Sequence, residues 1–94
     1  MKSVYILDDH DIVRFGLETL ISASGKFRLL GSSSNLADGL VQIDALKPDI
    51  LISDMSMDDS KGLDTVRAVV QAQGERPVLV VSMHDEMLYG EQVL

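Results

Sequence analysis

The apolar residues of this chain fall into four short runs, with amphipathic stretches between them. The runs are rich in Val, Ile and Leu and predict strands at residues 4–7, 27–31, 50–53 and 78–81. None alternates apolar with polar residues in a sustained way, which favours strands covered on both faces, as in a parallel sheet. Pro48 and Pro77 shortly precede the last two runs and prevent a helix from continuing into them.

The stretches between the runs carry apolar residues at helical spacing. Such stripes predict helices in residues 12–21, 36–46 and 63–70. Ser34 or Asn35 is a suitable N-cap for the second helix, and Gly25 and Gly74 follow the first and third. A fourth helical pattern begins after Asp85 and reaches the end of the chain. Strands that alternate with helices predict parallel pairing, right-handed crossovers and helices on both faces of the sheet.

The composition fits one small domain. The chain has 94 residues, of which 46% are hydrophobic and 24% charged, so a packed core is expected. Because cysteine is absent, disulfides and thiolate metal sites are excluded. We see neither a signal-peptide core nor the ~20 apolar residues of a membrane span, and therefore expect a cytoplasmic protein with no membrane partner.

The net charge restricts the partners of this segment. At −7, it argues against binding nucleic acid or an anionic membrane, since both require a basic surface. Fifteen acidic residues against eight basic ones also leave several carboxylates without a basic partner. Most excess acid is simply a solvated surface, so a cation site requires the acids to be clustered.

Acidic residues follow two of the predicted strands. Asp8 and Asp9 come after the first strand, Asp54 after the third, and Ser82 after the fourth. Alone, each is a common turn or cap residue. If the first and third strands are neighbours, however, three carboxylates meet at one sheet edge and repel one another unless a cation or proton offsets their charge. Oxygen ligands of this kind suit Mg²⁺ together with a phosphate, and a carboxylate can attack phosphorus.

At these positions the chain resembles the receiver domain of bacterial two-component response regulators. The acidic pair is Asp8-Asp9. K-P-D-I-L-I-S-D-M-S-M at residues 47–57 and V-L-V-V-S-M at residues 78–83 resemble the third and fourth strands of the family, and Gly62 stands where its glycine follows the loop. D-D-H-D-I-V-R-F-G-L and S-M-H-D are similar to the subgroup with a C-terminal LuxR/NarL-type helix-turn-helix output domain.

The resemblance implies a doubly wound α/β fold of the flavodoxin-like, CheY-like kind, with strand order 2-1-3-4. It implies a phosphoacceptor domain that phosphorylates and dephosphorylates itself rather than an enzyme acting on other substrates. Asp54 would receive the phosphoryl group of a sensor histidine kinase. Asp9 would bind Mg²⁺ directly, Asp8 more through water, and the backbone carbonyl of Ser56 would complete the coordination. Ser82 would be the switch hydroxyl that bonds the phosphoryl oxygens.

Further implications concern regulation and partners. The side chains of Ser56 and His84 would flank the attacking water and tune the lifetime of the phosphate. The expected partners are the sensor kinase, the DNA-binding domain of the same protein and through it DNA, with a homodimer also open. Transcription regulation is the expected outcome.

The chain departs from the family pattern at several positions. Asp58 replaces a common proline and Lys61 a common acid. Asp58-Asp59 either adds negative charge near the mouth of the pocket or forms a solvated loop, and we favour the solvated loop. The fifth strand, its lysine and the fifth helix are missing from residues 1–94, which are therefore expected to be a truncated receiver. Because its fourth strand is an open edge, we expect it to be marginally stable, to self-associate or to borrow a strand from a neighbour. Lys47 is expected at the opposite sheet edge and Lys61 in solvent, so neither replaces the missing lysine.

Two alternatives are weighed against this interpretation. D-H-D-I-V at residues 9–13 matches a haloacid-dehalogenase-type phosphatase, with Asp9 as nucleophile and Asp11 as acid/base. That reading leaves Asp8, Asp54 and Ser82 without coordinated roles. The second alternative is a receiver-like interaction module that is never phosphorylated.

Overall fold

Strands and helices alternate in the computed structural model of the chain, which describes residues 1–55, 57 and 59–81. The strands are β1 (Lys2–Leu7), β2 (Phe27–Ser33), β3 (Ile50–Asp54) and β4 (Val78–Val81). The helices are α1 (Asp11–Ser24), α2 (Leu36–Leu46) and α3 (Gly62–Gln73). The predicted order of elements is therefore confirmed as far as β4, and the predicted fourth helix lies outside the described residues.

The four strands form one parallel sheet in the order β2-β1-β3-β4. This order confirms the predicted α/β fold. β1 and β3 are direct neighbours, with Leu7 opposite Ser53. Their carboxyl ends therefore meet at the same edge of the sheet, and the residues that follow them face one another.

Local capping sets the ends of the helices. Asn35 is the N-cap of α2, and its side chain accepts a hydrogen bond of 2.8 Å from the backbone N–H of Asp38. Gly25 ends α1 in a left-handed conformation with φ 69°, which a glycine adopts without steric cost. α1 is longer at both ends than its apolar stripe, and Ile12 at the start of that stripe is 87% exposed rather than buried.

The hydrophobic core has one layer on each face of the sheet. On one face, Leu7, Leu51 and other buried residues pack against α2 and α3. On the other face, Val4, Ile6 and Ile52 pack with Leu17 and Ile21 of α1. The helices thus cover both faces, as the alternation of elements predicts.

The expectation that all strands are covered on both faces holds for the central pair only. β1 and β3 are largely buried, whereas β2 and β4 are mostly half-buried, and Leu79 is 47% exposed. Within the described residues, β2 and β4 each pair with one strand only and are the sheet edges. The self-association expected from such an edge stays a prediction. Among the described helices, none has the length and apolar character required to cross a bilayer.

Candidate functional site

Three carboxylates meet at the carboxyl edge of the two central strands. Asp8 and Asp9 follow β1, and Asp54 is the last residue of β3. Each offers an oxygen atom, and His10 a ring nitrogen, within 4.8 Å of one another. The side chains of Asp8 and Asp54 are 1% exposed and that of Asp9 15%. We call Asp8, Asp9 and Asp54 the carboxylate cluster.

Backbone hydrogen bonds to the outer strands hold the cluster in place. The N–H of Asp8 donates to the carbonyl oxygen of Ser33 at 3.1 Å, which extends the pairing of β1 with β2. On the other side, the N–H of Met55 donates to the carbonyl oxygen of Val81 at 3.0 Å. The two buried acids therefore sit on a backbone fixed by its neighbours.

The turn after β1 is organised around Asp8. Its Oδ1 accepts a hydrogen bond of 2.7 Å from the backbone N–H of His10. Its carbonyl oxygen accepts one of 2.8 Å from Nη1 of Arg14 in the first turn of α1. Nη2 of Arg14 in turn lies 2.7 Å from Oδ1 of Asp11. Arg14 thus ties the start of α1 to the end of β1.

His10 places its ring beside all three carboxylates. Nδ1 lies 3.1 Å from Oδ1 of Asp8, 3.0 Å from Oδ1 of Asp9 and 3.4 Å from Oδ2 of Asp54. The hydrogen bond to Asp8 and the neighbouring negative charges raise the pKa of His10 above its ordinary value, although desolvation opposes them. The sequence interpretation gives His10 no role. Its position directly after the acidic pair is the signal that could have indicated one.

The loop between β3 and α3 is anchored at two points. Met57, which is fully buried, forms a backbone bridge with Ser60, and the hydroxyl of Thr65 donates to that of Ser60 at 2.8 Å. Met57 is therefore held in the core, and Ser60 is tied to the first turn of α3.

Asp59 forms the second anchor and corrects the interpretation of this loop as merely solvated. Its Oδ1 accepts from the N–H of Leu36 at 2.8 Å, and its Oδ2 from the N–H of Ala37 at 3.0 Å. Asp59 therefore supplements Asn35 at the start of α2, 23 and 22 residues away in sequence. These two hydrogen bonds lower the pKa of Asp59 below its ordinary value.

The donor set of the cluster fits a small divalent cation. Oδ2 of Asp8 is buried and accepts no hydrogen bond from the described residues, and Oδ1 of Asp9 is buried beside Nδ1 of His10. Buried carboxylate oxygens of this kind carry a large desolvation cost, which a cation offsets. Mg²⁺ binds oxygens at about 2.1 Å, so its ligands lie within about 4.2 Å of each other, close to the spread of the cluster.

Several other candidates lie apart from the cluster or outside the described residues. The side chain of Asp11 is 87% exposed and paired with Arg14. Lys61 is exposed as the N-cap of α3, and Lys47 ends α2 before the start of β3, both as predicted. Asp58 and the remaining predicted site residues lie outside the described residues: Ser56, Ser82 and His84.

The family of the chain follows from its match to a family model. Residues 4–94 match the response regulator receiver domain. The chain belongs to this family. The match covers nearly the whole chain, and together with the exposed position of Asp11 it counts against the phosphatase alternative.

Individual relatives agree with this assignment and with the expected subgroup. The chain is 29% identical over 86 residues to the transcriptional regulatory protein YdfI of Bacillus subtilis. The aligned residues are 92% of this chain and 40% of YdfI. The curated relatives are longer proteins, and the receiver chain spans about two fifths of their length.

Solved receiver structures have the same fold. The signal receiver domain of NarL from Mycobacterium tuberculosis is 31% identical with a TM-score of 0.76, over 90% of this chain and 68% of that one. A DNA-binding response regulator of the LuxR family from Staphylococcus aureus is 25% identical with a TM-score of 0.78, over 97% and 76% of the two chains.

Proposed function

We propose that this receiver domain accepts a phosphoryl group on Asp54 in a Mg²⁺-dependent reaction. One observation supports the proposal above all: an oxygen atom of the buried Asp54 carboxylate lies within 4.8 Å of oxygen atoms of Asp8 and Asp9. An acid that serves only as a cap has no reason to lie beside two others. A phosphoacceptor that works with a cation requires this arrangement.

The roles within the cluster follow from position and burial. Asp9 is the more accessible member of the acidic pair and is assigned as the direct Mg²⁺ ligand. Asp8 is buried, is held by the N–H of His10 and keeps Oδ2 available toward a bound water. When bound, Mg²⁺ supplies the positive charge that offsets the carboxylates and the phosphoryl oxygens. The carbonyl of Ser56 is the further ligand that the resemblance implies.

The reaction joins the Asp54 carboxylate to phosphorus. An Oδ atom of Asp54 forms a bond to phosphorus while the phosphorus–nitrogen bond of a phosphohistidine in the kinase breaks. The departing imidazole nitrogen keeps the bonding electron pair and regains a proton. Hydrolysis of the resulting acyl phosphate returns Asp54 to its carboxylate form, so the domain acts as a self-modifying signalling unit.

The assignments beyond β4 are supported by register and by the resemblance. Val81 is the register partner of Asp54, and Ser82 follows it in sequence. We assign Ser82 as the switch hydroxyl and the side chains of Ser56 and His84 as modulators of phosphate lifetime.

The output of the protein is proposed from its relatives. YdfI is described as a transcriptional regulatory protein, and the Staphylococcus aureus neighbour as a DNA-binding response regulator. We propose that a DNA-binding domain of the same protein contacts DNA, in the cytoplasm and under the control of a sensor histidine kinase. The receiver itself, at net charge −7, is unsuited to that contact.

Phosphorylation by a small donor tests the proposal. We expect acetyl phosphate with Mg²⁺ to add one phosphoryl group, detected by intact-mass spectrometry, and Asp54→Asn to prevent it. Asp11→Asn is the matched control, since its exposed carboxylate lies outside the cluster, and it should label like the unmodified protein. Undiminished labelling of Asp54→Asn would refute the assignment. Failure of the unmodified protein both to label and to bind beryllium fluoride with Mg²⁺ would favour the non-phosphorylated interaction module.

A further inference from the structure

The ring of His10 faces the oxygens of three acids at nearly equal distance. Nδ1 is 3.1, 3.0 and 3.4 Å from oxygens of Asp8, Asp9 and Asp54. Neighbouring ligands of an octahedral cation with bonds of about 2.1 Å are about 3.0 Å apart, which follows from the same geometry. Nδ1 forms a hydrogen bond with Oδ1 of Asp8, and its distances to the three carboxylate oxygens are also those between neighbouring ligand atoms of such a cation.

We propose that His10 contributes a nitrogen ligand to the cation site and gives this receiver a preference for Mn²⁺ over Mg²⁺. The inference extends the proposed function, because it concerns the same carboxylate cluster. Three neighbouring acids are not by themselves evidence of a cation site. Asp8 supplies a second observation: its side chain is only 1% exposed, yet its Oδ2 accepts no hydrogen bond from the described residues.

The chemistry of the ligand determines the preference. Carboxylate, carbonyl and water oxygens suit Mg²⁺, which loses its hydration shell reluctantly. Mn²⁺ shares with Mg²⁺ the preference for carboxylate and water oxygens, but as a transition-metal cation it also accepts an imidazole nitrogen, from which Mg²⁺ gains little. A site with one imidazole beside the carboxylate cluster should therefore bind Mn²⁺ more tightly, while still accepting Mg²⁺ through the carboxylates.

The turn after β1 keeps the ring at the site. The backbone N–H of His10 donates to Oδ1 of Asp8, so the Cα position of His10 is fixed relative to the cluster. The carbonyl oxygen of Asp8 also accepts a hydrogen bond from Nη1 of Arg14. The side chain of His10 is 35% exposed, so the ring adjusts toward a cation without disturbing the core.

Pulsed electron paramagnetic resonance of bound Mn²⁺ tests the proposal directly. Electron spin echo envelope modulation detects a nitrogen bonded to Mn²⁺, and we expect such a coupling in the unmodified protein. His10→Ala should remove it. The chain has two histidines, so His84→Ala is the matched control and should retain the coupling. Loss of the coupling in His84→Ala but not in His10→Ala would overturn the proposal, as would its absence from the unmodified protein.

Calorimetric titration at one fixed pH gives the second measurement. We expect His10→Ala to weaken Mn²⁺ binding about tenfold, the size of effect typical for losing a partner of a metal site. Mg²⁺ binding should change far less. Equal weakening of both cations, or tighter binding of both, would overturn the proposal, because His10 would then act only through structure or as a competing side chain.

The outcomes separate this inference from the proposed function. Labelling of Asp54 by acetyl phosphate with Mg²⁺, without a nitrogen coupling on Mn²⁺, would overturn only the role of His10. A nitrogen coupling with neither labelling nor binding of beryllium fluoride would refute only the phosphoacceptor assignment.

Discussion

Gly39 in α2 packs directly against the side chain of Leu7 in β1. A Cβ atom at position 39 would lie 3.2 Å from Cδ2 of Leu7 and closer still to Cδ1. Because Leu7 is fully buried, its side chain has little room to move. Leu7 also directly precedes Asp8 in sequence. The absence of a side chain at position 39 therefore sets how closely α2 approaches the strand that carries the acidic pair.

We predict that Gly39→Ala destabilises the protein in spite of the higher helix propensity of alanine. The propensity gain is up to about 1 kcal/mol, whereas overpacking of a core typically costs about 1–3 kcal/mol. Urea denaturation should show a net loss of about 1–2 kcal/mol. Gly16→Ala in α1 is the control, because no neighbouring atom lies within 4 Å of its added Cβ, and it should stabilise. A stabilising Gly39→Ala would show that α2 shifts freely.

Asp54→Asn is predicted to stabilise the metal-free protein while removing most of its response to Mg²⁺. The substitution takes one of three clustered negative charges out of a buried site, and a gain of about 1–2 kcal/mol is typical of such changes. At 100 times its dissociation constant, Mg²⁺ should stabilise the unmodified protein by about 2.7 kcal/mol. Thermal or urea unfolding with and without Mg²⁺ measures both effects.

Asp44→Asn is the charge-matched control for this prediction, since its side chain is 91% exposed on α2. It should change neither the metal-free stability nor the response to Mg²⁺. If Asp54→Asn instead lowered the stability without metal, repulsion within the cluster would not be the dominant effect.

The framework of the site could be predicted from the sequence, but several contacts around it could not. The continuous apolar runs placed β1 and β3, and acids at their ends placed Asp8 and Asp54 at one edge, because the carboxyl ends of parallel strands coincide. The hydrogen bonds of Asp59 to α2 depend on how a loop folds back across more than 20 residues of chain, which periodicity does not encode. The ring of His10 was missed because a single polar residue in a turn carries no pattern.

Asp59 is predicted to contribute to a loss of folding stability when the pH is lowered below about 4. Hydrogen bonds from Leu36 and Ala37 lower its pKa from the ordinary value of 3.8. A carboxyl group whose pKa is lower in the folded state stabilises fully above its unfolded pKa and loses this contribution as the pH falls through the folded pKa. Asp49, whose pKa is lowered by its hydrogen bonds from Ser3, acts in the same direction.

Urea denaturation of the unmodified protein and of Asp59→Asn between pH 7 and pH 3 measures this contribution. Asp59→Asn should be less stable at pH 7 and should lose less stability on acidification, because only the remaining carboxylates titrate. Parallel curves for the two proteins across the whole range would contradict the assigned role of Asp59 at the start of α2.

Arg14 is predicted to support cation binding without touching the cation. Its Nη1 donates to the carbonyl oxygen of Asp8, and its Nη2 pairs with Asp11. Arg14→Met keeps an apolar stem of similar length but removes both donors, so the turn carrying Asp8 and Asp9 becomes less well fixed. We expect about tenfold weaker Mg²⁺ binding by calorimetry, as is typical for partners of metal ligands, with little change in unfolding free energy.

Asp11→Asn separates the two contacts of Arg14. The contact with Asp8 remains in this variant, and the lost ion pair is largely exposed, so Mg²⁺ binding should change much less than in Arg14→Met. Equal effects of the two substitutions would mean that the ion pair, rather than the carbonyl contact, orients the turn. A large loss of stability in Arg14→Met would instead assign Arg14 to the fold, because an orienting side chain at the rim of the site should affect the ligand affinity first.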